Sequence, residues 1–139
     1  MSGKATSGPR CAAIAGPYLS GKTSLLEAPL YPCEATPRLG TIKDGNTVGD
    51  SSDDARARQM STELNIASAT FLDEEWTFVD CPGSVEFIQE SRAALLAADA
   101  AILVCEPETT KAPMLATVLQ FPECPDITRL PVRPQALPY

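Results

Sequence analysis

Eight consecutive residues, Gly16-Pro17-Tyr18-Leu19-Ser20-Gly21-Lys22-Thr23, fit the pattern G-x-x-x-x-G-K-[ST], and the chemistry of that pattern is phosphate binding. Gly16 and Gly21 let the backbone curl so that several N–H groups point inward. Lys22 is placed to reach the β- and γ-phosphates, and the Thr23 hydroxyl to ligate Mg²⁺. A helix opening at the end of the loop adds further donors and the positive end of its dipole. Ser20 within the loop and Ser24 just after it are counted with the phosphate-side residues. The same residues could also make a Gly-rich turn before an ordinary helix, so the surrounding elements must decide.

Those elements agree with the phosphate reading. Cys11-Ala12-Ala13-Ile14-Ala15 is an apolar run of strand length that ends directly at Gly16. Ser24 to Ala28 are mostly good helix formers, and Pro29 predicts a stop. Strand, loop and helix in that order are what the motif requires.

A second acidic group is supplied by Asp80-Cys81-Pro82-Gly83, which follows the strand-like run Trp76-Thr77-Phe78-Val79. Asp80 lies 57 residues after Thr23. There it can meet the Mg²⁺ of a bound triphosphate directly or through water. Gly83 would let a backbone N–H approach the γ-phosphate closely. The plainer reading makes Pro82-Gly83 a turn and Ser84 the cap of the next helix, and both readings can hold together.

Around these motifs the chain reads as one small α/β domain. Residues 1–9 are small and polar, the composition of a flexible leader. Between 32 and 62 the sequence is mostly turn chemistry, with a helical turn expected near Asp54–Met60. A long polar loop in a compact domain points to function or mobility. Ile66–Leu72 and Trp76–Val79, joined by Asp73-Glu74-Glu75, predict an antiparallel hairpin. A helix is expected from about Val85 to Ala97, with Val85, Ile88 and Leu95 on its apolar stripe and Phe87 and Leu96 beside it. Ala100–Cys105 predicts a strand buried on both faces, and a further helix is expected over 112–120. From Pro122 to Tyr139 there are five prolines, a composition that excludes a central strand and predicts disorder.

Composition narrows the function. The chain has 139 residues, 11 basic and 18 acidic side chains, no histidine and a net charge of −7. That balance argues against a broad nucleic-acid-binding surface. The five cysteines (11, 33, 81, 105 and 124) form no C-x-x-C pair and leave one odd, a pattern of reduced thiols in a cytoplasmic protein. No apolar run nears the ~20 residues that span a bilayer. Arg56 and Arg58 invite an arginine-finger role, but on a polar segment they read as solvated charge. Trp76 reads as a sheet-face residue.

Over residues 10–121 the sequence resembles the G domain of translational GTPases, of the elongation factor G type. The resemblance rests on Gly16–Thr23, on Asp80-Cys81-Pro82-Gly83-Ser84-Val85-Glu86-Phe87 and on their spacing. Lys43–Asp50 with Ala55–Ser61 resembles the first switch region of the divergent elongation factor G-like branch. The resemblance implies a P-loop NTPase fold, a three-layer α/β/α sandwich on a mostly parallel sheet, incomplete at its C-terminal side. It implies GTP and Mg²⁺ as cofactors and a nucleotide switch acting on the ribosome, in the cytoplasm. Gly16, Ser20, Gly21, Lys22, Ser24 and Gly83 would then serve the nucleotide, and Thr23 and Asp80 the metal.

Three departures qualify that inference. Where the family carries a Mg²⁺-ligating Thr at the end of the first switch, the matching segment is Glu63-Leu64-Asn65, which puts Asn65 in its place with a carbonyl and no hydroxyl. Where the family has a water-orienting His, this chain has Ser84, so Ser84 is the candidate catalytic position and hydrolysis is expected to be slow. The guanine-reading Asn-Lys-x-Asp motif is absent after Ala100–Cys105. The expectation is therefore a truncated G domain, with a frameshift replacing the native continuation after about Phe121. A genuine short protein with a divergent tail is the other account. Two rival functions remain open at this stage: a different P-loop NTPase that binds ATP, such as an ATPase or small-molecule kinase, and a vestigial nucleotide-binding module without catalysis.

Overall fold

Strand β1 (Arg10–Ala15) forms because the apolar run Cys11–Ala15 loses its water on both faces, and its last four residues are buried. The computed structural model describes residues 10–49, 52–58, 61–105, 113, 116 and 127–133. After β1 come α1 (Lys22–Leu30), α2 (Asp53–Arg58), β2 (Asn65–Phe71), β3 (Glu74–Asp80), a short 3-10 turn (Val85–Phe87), α3 (Ile88–Ala97), β4 (Ala100–Val104) and β5 (Thr128–Val132).

The strands form one sheet in the order β2-β3-β1-β4-β5. β3, β1, β4 and β5 run parallel, and β2 joins β3 as an antiparallel hairpin. Side-chain alternation along the strands divides the core in two. Ala13, Ala15, Val79, Ala101 and Leu103 meet Ala94 and Leu95 of α3 on one face. Ile14, Ala69 and Val104 meet Leu26 and Leu30 of α1 on the other. This is the expected three-layer α/β/α arrangement on a mostly parallel sheet.

Four local expectations need correction. Pro29 does not stop α1, which runs to Leu30. Leu30 is fully buried on the sheet, and packing outweighs the lost N–H at the last turn. The hairpin turns at Leu72-Asp73, not at Asp73–Glu75, with φ of 54° and 62°. Two left-handed residues give a turn whose twist matches the strands, and Glu74 and Glu75 become strand. The expected helix from Val85 begins as a 3-10 turn, and Leu96 is exposed while Ser91, Ala94 and Leu95 carry the buried face.

The fourth correction concerns the Pro-rich tail, because Thr128–Val132 is a strand paired in parallel with β4. An edge strand needs ladder bonds on one side only, so Pro131 is tolerated there. Leu130 is exposed on that strand. The helix expected over 112–120 lies outside the described residues except for Pro113 and Ala116, both helical. Residues 1–9 and the rest of the tail, 122–126 and 134–139, also lie outside them. The helical turn near 54–60 is present as α2, where Arg58 pairs with Asp54 at 3.1 Å in solvent.

Candidate nucleotide and metal site

The site is built where β1 and β3 end side by side. β1 is followed by a helix on one face and β3 by a helix on the other, the kind of crevice where open α/β sheets hold ligands. Its floor is the loop from Gly16 to Gly21. Gly16 has φ 156°, and a Cβ there would lie 2.5 Å from the Val104 carbonyl oxygen. Gly21, at φ 89°, is the N-cap of α1. Gly16 would resist any side chain for lack of space, and Gly21 because of its left-handed backbone. Leu19 also takes a left-handed conformation, at φ 56°.

Within the loop the Ser20 hydroxyl is buried and has no hydrogen-bond partner among the described residues. Burying a hydroxyl without a partner is costly, and the polar oxygens of a phosphate would satisfy it. The Lys22 ammonium, itself buried, donates to the Pro17 carbonyl at 2.7 Å. This bond folds the lysine back along the loop, with its charge held inside the curl. Ser24 is exposed at the start of α1.

The two residues expected on the metal side meet directly. The Thr23 hydroxyl donates to Asp80 Oδ2 at 2.9 Å, and both residues are buried. A hydroxyl and a carboxylate at this separation are the hard oxygen donors that Mg²⁺ prefers, with the remaining positions left to phosphates and water. The donor set fits the cation the sequence implies.

Gly83 sits directly over the loop. A Cβ on it would lie 2.5 Å from Lys22 Nζ and 2.6 Å from the Tyr18 nitrogen. Only glycine allows this approach of the β3–α3 turn to the phosphate loop. The turn is held by the Cys81 N–H donating to the Ile14 carbonyl at 2.9 Å. It is also held by the Ser91 hydroxyl donating to the Pro82 carbonyl at 3.1 Å. Sequence reasoning missed Ser91, because a serine in a helix carries no local sign that it is buried. Ser84 does act as a local cap: its hydroxyl accepts the Glu86 N–H at 3.4 Å.

Cys81 records the electrostatics of the site. Its thiol is pushed up to about 12 from an ordinary 9.0, first by burial, then by the negative charge of Asp80, with Lys22 opposing. A thiol so placed stays protonated and behaves as a small apolar residue.

Asn65 is not the side chain that reaches Thr23. It faces Asp80 across the β2–β3 ladder, but its amide donates to the Glu63 carbonyl at 3.4 Å. The neighbouring hydroxyl belongs to Ser61, buried, with its Oγ 3.3 Å from Thr23 Oγ1. Ser61 was legible only as a hydroxyl residue four positions before Asn65, at the end of the segment likened to the first switch. Arg56 and Arg58 are exposed on α2.

The sequence model of the elongation factor Tu GTP binding domain matches residues 9–126. The chain belongs to that family. The elongation factor G-like protein of Synechocystis is 48% identical over 112 residues, which is 81% of this chain and 17% of that protein. The elongation factor G-like protein of Mycobacterium tuberculosis is 37% identical over 97 residues, 70% of this chain and 14% of the relative. The chain thus spans less than a fifth of the length of these relatives. A crystal structure of a Thermus thermophilus protein superposes with a TM-score of 0.76 at 28% identity, covering 89% of this chain and 19% of that one. The fold also matches that of the GTP-bound Ski7 GTPase-like domain of S. cerevisiae, with a TM-score of 0.61 at 15% identity, covering 74% and 26%. The family match makes the chain a GTP-binding type of domain. No helix among the described residues is long and apolar enough to cross a membrane.

Proposed function

We propose that this domain binds GTP together with Mg²⁺ and that the protein it represents uses hydrolysis of GTP as a conformational switch on the ribosome, in the cytoplasm. The observation that carries this reading is the buried Thr23–Asp80 hydrogen bond at the mouth of the phosphate loop. Gly16, Ser20, Gly21, Lys22 and Ser24 bind and orient the phosphates. Gly83 brings backbone against the terminal phosphate, and Thr23 and Asp80 hold the metal. Ser61 joins them as the switch-side hydroxyl in preference to Asn65.

Bound Mg²⁺ supplies charge neutralisation of the phosphoryl oxygens. The chain's own contribution is positioning, and at the nucleophile it is weak. Ser84 hydrogen-bonds its own turn and offers a poor means of orienting water, so hydrolysis is slow.

Choice of GTP over ATP rests on family membership, because the sequence lacks Asn-Lys-x-Asp. A competition titration decides it: displacement of a bound fluorescent nucleotide by GTP at lower concentration than ATP supports the reading, and preference for ATP overturns it.

A further inference from the structure

The roles above leave out one buried acid. Glu27 lies one turn after Thr23 on α1 and is 1% exposed. Its partners are backbone groups of the connecting segment. The Gly40 N–H donates to Oε2 at 3.1 Å and the Val48 N–H to Oε1 at 2.5 Å. Each carboxylate oxygen thus holds one end of the stretch between them.

That stretch is closed upon itself. The Thr41 N–H donates to Asn46 Oδ1 at 2.8 Å and the Thr41 hydroxyl to Asp44 Oδ2 at 2.6 Å. The Gly45 N–H donates to the Ile42 carbonyl at 3.1 Å. Residues 40–49 therefore form a pre-folded strap whose neck is gripped by a single side chain. Just beyond Val48, a Cβ on Gly49 would lie 2.8 Å from Thr23 Cγ2 and 3.4 Å from Asp80 Oδ2. The end of the strap thus rests on the metal-side pair.

We infer that Glu27 is a positioning residue that latches the 40–49 strap against the Thr23–Asp80 pair and so slows release of the bound nucleotide. The inference rests on the nucleotide reading of that site. Glu27 acts through backbone N–H groups, and hydrogen bonds to a charged acceptor are stronger than neutral ones. Residue 40 is glycine where the neck closes, since a Cβ there would lie 2.8 Å from the Asn46 carbonyl oxygen, from Thr47 Cα and from Glu27 Oε2 alike.

Two substitutions attack the latch from opposite sides. Glu27→Gln turns one acceptor into a donor facing an N–H group. Gly40→Ala wedges the neck of the strap open, against the Asn46 and Thr47 backbone as well as the carboxylate, and leaves the α1 sequence unchanged. The first measurement uses the nucleotide-free chain: tryptic cleavage after Lys43, exposed in the strap, relative to cleavage after Arg92 on α3. The second is release of a fluorescent guanine nucleotide into excess unlabelled GTP.

Both variants are expected to raise the Lys43-to-Arg92 cleavage ratio and the release rate on the order of tenfold, with unchanged circular dichroism. Unchanged ratio and release in a folded variant overturn the inference, and Gly40→Ala decides it if Glu27→Gln does not fold. Failure of the wild-type chain to bind nucleotide would overturn the nucleotide reading instead, while the cleavage ratio still judges the latch.

Discussion

Thr23 and Asp80, 57 positions apart, meet through a 2.9 Å hydrogen bond buried between the first helix and the end of the third strand. The contact exists because β1 and β3 are neighbours in the sheet, with Ile14 in register with Asp80. Phosphate loop and acidic strand end are thereby placed side by side before any ligand arrives.

Asp80→Asn keeps a hydrogen-bond acceptor for the Thr23 hydroxyl and removes the charge. Mg²⁺ affinity in the presence of GTP is expected to fall roughly 10–100-fold, while the thermal midpoint of the nucleotide-free chain moves little. Magnesium titration followed by nucleotide fluorescence checks this, and an unchanged midpoint of titration would remove Asp80 from the metal site.

Gly83→Ala places a methyl group where Lys22 Nζ and the Tyr18 backbone already stand. Overpacking of this kind costs about 1–3 kcal/mol, and triphosphate affinity is expected to drop with it. Gly45→Ala is the control: φ is 62° there and nothing lies within 4 Å of the new Cβ. It should lower stability through backbone strain and leave affinity intact, as read by chemical denaturation and nucleotide titration.

Ser84→His restores a side chain able to orient water. Single-turnover hydrolysis of GTP is expected to rise about tenfold or more over the wild-type chain. A wild-type rate already equal to that of a histidine-bearing relative would contradict the assignment of Ser84 as the weak point.

Cys81 gives a pH signature. Its thiol keeps its proton in the folded chain up to about 12, whereas the exposed thiol loses it near 9.0. Above pH 9 the unfolded state therefore binds fewer protons, and the stabilising contribution declines as pH rises through that window. Urea midpoints measured from pH 8 to 11 should fall more steeply for the wild type than for Cys81→Ala. Equal slopes would show that the thiol does not titrate differently in the two states.

What the sequence revealed was mostly local. Gly16, Gly21 and Lys22 could be read directly because the loop's shape is set by the residues that form it. The hairpin was legible from two strand-like runs joined by a short polar segment, but its turn was misplaced, since Leu72 is an unusual choice for left-handed backbone. β5 was hidden by Pro131 and the prolines flanking the strand, and the penalty of Pro131 disappears at a sheet edge. Ser61 and Glu27 were invisible for the opposite reason. A serine in a polar loop and a glutamate on a helix carry no local sign of burial. Only the packing of the 40–49 strap and of Ser61 against α1 gives them their places.

In the proposed function the loop, Thr23 and Asp80 together make a Mg²⁺-dependent triphosphate site. Thermal unfolding of the wild-type chain and of Asp80→Asn, with GTP alone and with GTP plus Mg²⁺, tests it most directly. Ligand at a hundredfold excess over its Kd contributes about 2.7 kcal/mol, a rise of several degrees for a domain of this size. The wild type should gain that rise with GTP, more so with Mg²⁺, and Asp80→Asn should lose the magnesium increment. A wild-type midpoint unmoved by millimolar GTP and Mg²⁺ would contradict the account.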